Sequence, residues 1–416
     1  MTRETMRRDV TALCVAYGLT LVVLGVALAA SRALDRGFWM FTQEPAGVLE
    51  APSYVGFLSN TTQLAGIAGC VASLLVWCVL GFGVRSPWLW GGILVGALTA
   101  NDMFLLDDYL VGVGIPEPVT SSALGLGALL FVGVYWSVVR THGVWLVAAA
   151  LAGFFGAELL DRVSQDLDSV EDVLRFVSQV SWGFFFVRAA VVELAERGAG
   201  AAASPVVDRT RSRSVVAAVY GAAALTIVAV VAASRVLDRD VSFLTREPVD
   251  ALDADAYIGT LSNLGALVWA AAVTAALIGW LVTRRAPLLF GGLLSLLLLA
   301  DDFYRLHETY YPQVGIPQKV ANAAYFTLAL AYLVVFRRYL RRHGGWLLVV
   351  ALGLLGASAA LDAAFRDQDA IEDSVKLLGI VTWATWFVVV SYEELRDHVS
   401  NVDSEYALAA PAPACG

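Results

Sequence analysis

The chain reads as an all-α polytopic membrane protein of about 12 transmembrane helices, laid out as two parallel six-helix repeats. Three observations predict this. Of its 416 residues 58% are hydrophobic and only 16% charged, against about half and about a quarter in an ordinary soluble protein. Apolar runs recur from end to end, each close to the ~20 residues that cross ~30 Å of hydrocarbon as a helix. Finally, a set of polar residues in the first half returns in the second in the same order. The runs are rich in Gly, Ala and Leu without strict polar alternation, which fits helices and not a barrel.

Taken in order, the first six spans fall near residues 10–31, 57–80, 87–107, 119–139, 143–163 and 170–194. The second six fall near 213–234, 257–282, 287–308, 319–339, 344–363 and 372–395. The first repeat thus occupies residues 1–196, a basic, Pro-containing linker 197–213, the second repeat 214–398, and an Ala-Pro tail 399–416, expected to be disordered. The first run is full length and lacks a small-residue cleavage pattern after it, so it reads as a retained span. Cys14, Cys70 and Cys78 lie inside apolar runs and Cys415 in the tail, a distribution that offers no disulfide. Short loops carrying Arg85, Arg140, Arg284, Arg285, Arg341 and Arg342 alternate with acidic ones, and the positive-inside rule puts the basic set in the cytoplasm. Both termini are then cytoplasmic, and the cell membrane is the expected location.

The duplication is legible residue by residue. Ser31 to Arg36 returns as Ser234 to Arg239, and Tyr54 to Asn60 as Tyr257 to Asn263, at an offset of 203. Pro87 and Gly91-Gly92 match Pro287 and Gly291-Gly292 at 200, then Gly114-Ile115-Pro116, His142, Asp161 and Trp182 match Gly315-Ile316-Pro317, His343, Asp362 and Trp383 at 201. The offset changes only in loops, as a true duplication requires. Six spans per copy is an even number, so both copies insert the same way round.

Most polar matches lie on the acidic, outer side. The densest stretch is Asp301-Asp302-Phe303-Tyr304-Arg305-Leu306-His307-Glu308, closing the ninth span. On a straight helix Asp301, Arg305 and Glu308 share a face, while Asp302 and His307 point away from it and from each other. Asp301 would sit about 10 Å below the helix end, where ionisation needs a partner; Arg305 and Arg235 are the available cations. Asp302, His307 and Glu308 are the candidate catalytic groups. Asp301, Asp362, Asp373, Arg235 and Arg305 are the candidate binding groups. Asp302, His307, Glu308 and Asp362 are a candidate ligand set for a divalent metal ion, since two carboxylates and an imidazole suit Zn²⁺, Mn²⁺ or Fe. The competing structural reading has these residues close the outer mouth by ion pairs with Arg235, Arg239 and Arg305.

A second acidic stretch runs from Asp362 to Lys376. Asp369 with Glu372, and Asp168 with Glu171, have the spacing of helix starts, while Glu372–Lys376 and Glu171–Arg175 are i, i+4 pairs. In the first copy Asn101 replaces Asp301 and Asp107 replaces His307. One competent site would therefore belong to the second copy. Glu158 is expected to pair with Arg162, or else to join the first copy's acids. His142 and His343 read as interfacial turn residues, Trp145 and Trp346 as an aromatic belt, and Trp182, Trp383 and Trp386 as packing.

The pattern Asp301-Asp302-x-x-x-Leu306-His307-Glu308, then Asp362, then Ile371-Glu372-Asp373-x-x-Lys376-x-x-Gly379, resembles a group of uncharacterised bacterial and archaeal multi-pass membrane proteins. The likeness covers mainly the second half and implies no chemistry. The six-plus-six layout is similar to the major facilitator superfamily, but the inner loops Gly81 to Pro87 and Thr283 to Pro287 lack that family's basic loop motif. Three functions fit: an outward-facing site for a cation, a lipid headgroup or an extracytoplasmic molecule; a cation- or proton-coupled transporter; and a membrane scaffold or sensor. The lipid bilayer is the expected surrounding. No nucleotide loop, nucleic-acid patch or nucleophile elbow is present.

Overall fold

The computed structural model describes residues 3–33, 35, 36, 40, 49, 55–163, 167–199, 221, 224, 225, 227–236, 238, 258–364 and 369–409. Among these the chain is helical, with no strand. The first half contains α1 (Arg3–Ala33), α2 (Phe57–Leu80), α3 (Pro87–Phe104), α4 (Leu106–Gly112), α5 (Glu117–Val134), α6 (Trp136–His142), α7 (Val144–Val163) and α8 (Asp168–Ala199). The second contains α9 (Ile227–Val236), α10 (Thr260–Thr283), α11 (Ala286–Phe303), a π-helical turn (Leu306–Tyr310), α12 (Gln318–Val335), α13 (Arg337–Arg342), α14 (Trp346–Ala364) and α15 (Asp369–Ala409). Eight of these helices, in α2, α5, α7, α8, α10, α11, α12 and α15, are long and apolar enough to cross a membrane, which is compatible with an integral membrane protein. Shorter apolar helical stretches cover Thr20–Ala33, Ile227–Val236 and Trp346–Leu361. Arg239, Cys415, most of the linker and most of both long first loops lie outside the described residues. The last helix continues to Ala409, past the expected repeat end at residue 398.

The two halves are assembled alike. In the first, α8 packs on α2 and α7, and α2 on α3; in the second, α15 packs on α10 and α14, and α10 on α11. The halves meet through α2 with α10 and α8 with α15, and α1 lies along α15. The centre of each half is aromatic: Trp182, Phe185 and Phe186 in one, Trp383, Trp386 and Phe387 in the other, all at most 1% exposed. The tryptophans thus pack as expected, and Trp383 spends its indole N–H on Ser295 Oγ at 2.9 Å. The repeated Gly-Gly pair has a packing reason. A Cβ on Gly91 would meet the Phe186 ring at 2.3 Å, and one on Gly291 the Phe387 ring at the same distance. Only a residue without a side chain lets the aromatic helix lie this close.

The expected straight ninth span is corrected by the structure. Helix α11 ends at Phe303, Arg305 adopts the left-handed conformation at φ 51°, and the chain restarts as a π-helical turn. Leu105 makes the same break in the first half at φ 46°. Neither residue is glycine, so the conformation costs roughly 1–2 kcal/mol and persists only where surrounding contacts hold it.

Candidate functional site

At the break in the second half, Asp301 supplies those contacts. Its side chain is buried, at 5% exposure. One carboxylate oxygen, Oδ1, accepts the backbone N–H of His307 at 3.0 Å and the Tyr325 hydroxyl at 2.7 Å. The other, Oδ2, lies 2.6 Å from His307 Nδ1. A carboxylate from the end of one helix thus satisfies an amide at the start of the next turn, in the manner of a cap. This overturns the straight-helix expectation that His307 points away from Asp301. The left-handed turn at Arg305 swings the imidazole back across the helix end.

These groups open onto a cavity of about 540 Å³ enclosed by α10, α11, the π-helical turn, α12, α14 and α15. Its lining is divided by chemistry. Asp301, Asp302, Arg305, His307, Glu308, Glu372, Asp373 and Lys376 form a charged part, while Trp269, Leu298, Phe326, Leu352, Leu355 and Ile380 form an apolar part. Gln318, Asn322 and Ser358 contribute neutral polar groups. Of the residues expected from sequence, six therefore share this space: Asp301, Asp302, Arg305, His307, Glu308 and Asp373. Arg235 does not line it; that residue is exposed on α9. The backbone of Asp362 lies in α14, and its side chain is outside the described residues.

Opposite charges meet inside the charged part. Lys376 Nζ lies 2.5 Å from Asp302 Oδ1. The Arg305 guanidinium grips Glu308 Oε2 through Nε at 2.9 Å and a terminal nitrogen at 2.7 Å. His307 Nε2 stands 3.6 Å from Glu308 Oε1. Lys376, expected to support Glu372 along its own helix, reaches across to Asp302, and Glu372 accepts from Ser358 Oγ at 2.6 Å. Among the described residues no group of three His, Cys, Asp or Glu could hold a metal ion. The reason is visible in the pairing. The ammonium and guanidinium already sit on the carboxylates that a divalent ion would need, so the described donor set does not fit one.

Burial works against the His307 cation, but contact with Asp301 and the charges of Asp301 and Glu308 outweigh it and raise the imidazole pKa above 6.5. Burial likewise works against the Glu308 anion, and Lys376, Arg305 and His307 outweigh that and hold its pKa below 4.5. The signs give opposite pH windows. A group with a raised folded pKa contributes its stability fully below the unfolded value and loses it as pH rises through the folded value. His307 is therefore expected to stabilise the fold below pH 6.5 and to stop doing so as pH rises through its raised folded-state pKa. Thermal unfolding of wild type and His307→Gln across that range checks this: the difference between them should shrink with rising pH, and a constant difference would refute the assignment.

The first half holds a much smaller counterpart, about 40 Å³, lined by Asn101, Asp102, Asp107, Glu158, Arg175 and Gln179 among others. Asn101 Nδ2 donates to Asp107 Oδ2 at 3.4 Å where the second half has Asp301 and His307. Glu158 turns into this cavity and forms no ion pair with Arg162. At the opposite end of the bundle, His142 and His343 are more than turn residues. His142 is buried, with Nε2 at 3.9 Å from Glu193, and His343 stands 3.7 Å from Glu393 and 3.5 Å from Glu394. Arg285 completes that second cluster at 3.0 Å from Glu394.

Tyr325 and Asn322 were missed at the sequence level, along with Gln318. A signal existed: the three recur at helical spacing in an otherwise apolar run, which marks one polar face of α12.

Fold and cavity together define a class, a helical bundle compatible with membrane integration that holds a chamber of about 540 Å³ lined by both charged and apolar residues. The chain belongs to a family described as a domain of unknown function, DUF8692, whose model matches residues 16–189 and 215–390. An uncharacterised family fits the expectation of an uncharacterised group. No curated protein and no solved structure matches the chain.

Proposed function

We propose that this is a membrane protein of twelve spans in two parallel copies, with both termini in the cytoplasm, and that its second copy binds an amphiphile from the outer side. The headgroup would sit among Asp301, Asp302, His307, Glu308 and Asp373, and the apolar portion against Phe326, Leu352, Leu355 and Ile380. One observation carries the reading: charged and apolar linings divide a single cavity of about 540 Å³, where the first copy has about 40 Å³. Cavities of that size are typical of ligand sites. Helix α12 supports a lateral way in, because only Ala321, Ala329 and Tyr332 along it are buried. Five carboxylates against Lys376 and Arg305 leave the charged part net acidic when His307 is neutral, which favours a cationic or hydrogen-bond-donating headgroup.

Asp301 behind His307 is also the arrangement that orients an imidazole for proton transfer. The reading therefore extends to hydrolytic release of the headgroup, in which water adds across the bond to the headgroup, His307 takes the proton from that water and returns it to the departing group, and Asp301 is its positioning residue. The test is headgroup release from amine-headed and phosphate-headed amphiphiles by protein in nanodiscs, followed by mass spectrometry. Wild type should release at least one headgroup, and His307→Gln should do so roughly a hundredfold more slowly. Equal rates in both proteins would remove the acid–base role.

A second reading, a cation- or proton-coupled transporter, draws on the breaks at Leu105 and Arg305, since transporters place ion sites at interrupted helices. Gradient-driven uptake into proteoliposomes, absent in Asp301→Asn, would favour it over the first.

A further inference from the structure

The lining of the large cavity changes with depth in the same way on four helices. On α11 Asp301 and Asp302 stand near the helix end and Leu298 lies one turn in. On α12 Gln318 and Asn322 come first, and Phe326 and Ala329 follow. On α14 Ser358 lies toward the helix end with Leu355 and Leu352 behind it, and on α15 Lys376 is followed by Ile380. Charged and polar groups therefore ring one end of the cavity and apolar groups the other. The apolar end runs from Asn322 to Ala329, from Ser358 to Leu352 and from Lys376 to Ile380, which at 1.5 Å per residue is about 6–10 Å. One turn further the helices are packed. Leu348 and Trp383 are at 0% exposure and Tyr332 at 5%, and the ring centroids of Trp269 and Trp383 meet edge-on at 6.0 Å. Between α12 and α14 the side wall is the Phe326 ring, which lines the cavity and which a Cβ on Gly356 would meet at 3.2 Å. The first half reverses this pair. At the offset of 201 Gly125 stands for Phe326 and Phe155 for Gly356, and a Cβ on Gly125 would meet both Phe154 and Phe155 at 3.1 Å. Phe154 stands where the second half has Leu355, and it lines the cavity of about 40 Å³. The exchange leaves the second cavity open inside and walled by Phe326 at its side.

We propose that this cavity is a blind pit for a single short alkyl chain, of no more than about eight carbons, and that Phe326 is the residue that limits the chain from the side. The assignment rests on the amphiphile reading above and narrows its ligand. A zigzag carbon chain advances roughly 1.3 Å per carbon, so an apolar depth of about 6–10 Å takes about five to eight. Below that depth the Trp383 indole, tied to Ser295 Oγ at 2.9 Å, belongs to a floor that leaves no passage for more. Volume excludes the two long chains of a phospholipid as well. A methylene takes about the space of a water, roughly 30 Å³, and about thirty of them exceed the whole 540 Å³.

Displacement of a radiolabelled alkylamine from the full chain in nanodiscs, by unlabelled primary alkylamines of increasing length, tests it. Each affinity is referred to the free aqueous concentration measured by dialysis, so that partition into the bilayer does not imitate binding. Wild type should gain roughly fourfold per methylene up to about eight carbons and should stop gaining beyond. Phe326→Ala removes the side wall and should move that limit out by about four carbons or more, since a longer chain can then pass between α12 and α14. Ala329→Leu raises the floor and should bring the limit in by about two carbons, which keeps the test informative if Phe326→Ala fails to fold. Affinity that climbs without a limit in wild type, or a limit that Ala329→Leu leaves in place, would overturn the pit while leaving an amphiphile site standing. A limit unmoved in Phe326→Ala would overturn Phe326 as its wall. No binding at any chain length would remove the amphiphile reading and the pit with it.

Discussion

Asp301→Ala is expected to lower the unfolding free energy by about 3 kcal/mol, the lower end of what removing one partner from a buried ion pair costs. Asp301 holds three groups at once: the His307 amide, the His307 ring and the Tyr325 hydroxyl. Without it the half-buried His307 amide loses its acceptor, the Tyr325 hydroxyl keeps only Tyr311 at 3.2 Å, and the left-handed turn at Arg305 loses the contacts that offset its strain. Asp301→Asn keeps a carbonyl oxygen for the amide and the hydroxyl but drops the charge, so roughly half of the loss should return. Unfolding in mixed detergent micelles, followed by tryptophan fluorescence, measures both. A change under about 1 kcal/mol for Asp301→Ala would mean that the break is held by other contacts.

Lys376→Gln should cost nearly as much, about 2–3 kcal/mol near neutral pH, because it removes the ammonium that lies 2.5 Å from Asp302 Oδ1 and leaves that largely buried carboxylate without its cation. The decisive comparison is the pair. Lys376→Gln/Asp302→Asn removes both charges and should recover more than half of the loss, since an uncharged pair leaves no buried ion. Lys376 also helps to hold Glu308 ionised. A group with a depressed folded pKa contributes stability above its unfolded value and loses it as pH falls through the folded one. In Lys376→Gln the Glu308 contribution should therefore disappear at a higher pH than in wild type. No recovery in the double variant would show that Lys376 acts by packing alone.

How much of this was legible beforehand differs by level. The apolar runs are properties of composition and order, so an all-helical chain compatible with a membrane could be read directly. The aromatic centre followed as well, because Trp182 and Trp383 recur in apolar surroundings. Side-chain convergence at the site was legible in part: the costly ionisable residues at the end of the ninth run marked the region. Their geometry was not, because a straight helix separates Asp301 from His307 and only a left-handed residue at 305 reunites them. Nothing in the local sequence announces that turn, since Arg305 and Leu105 are ordinary helix formers held there by tertiary contacts. The partnership of Lys376 with Asp302 was hidden for the same reason. Local spacing offered Glu372 as its partner, and only the packing of α15 on α10 and α11 brings Asp302 within reach. Likewise His142 and His343 looked like loop residues because their glutamate partners, Glu193 and Glu394, lie some fifty residues further along the chain.

The central claim is that one chamber in the second half takes an amphiphile, headgroup toward His307. Photo-labelling with a diazirine-bearing, amine-headed single-chain amphiphile, mapped by peptide mass spectrometry, tests it most directly. Label is predicted on Phe326, Leu352 and Leu355, and should be lost in Ala329→Trp, which fills the cavity from α12. Label confined to outward-facing residues such as Val320 and Leu330, and unchanged by Ala329→Trp, would contradict it.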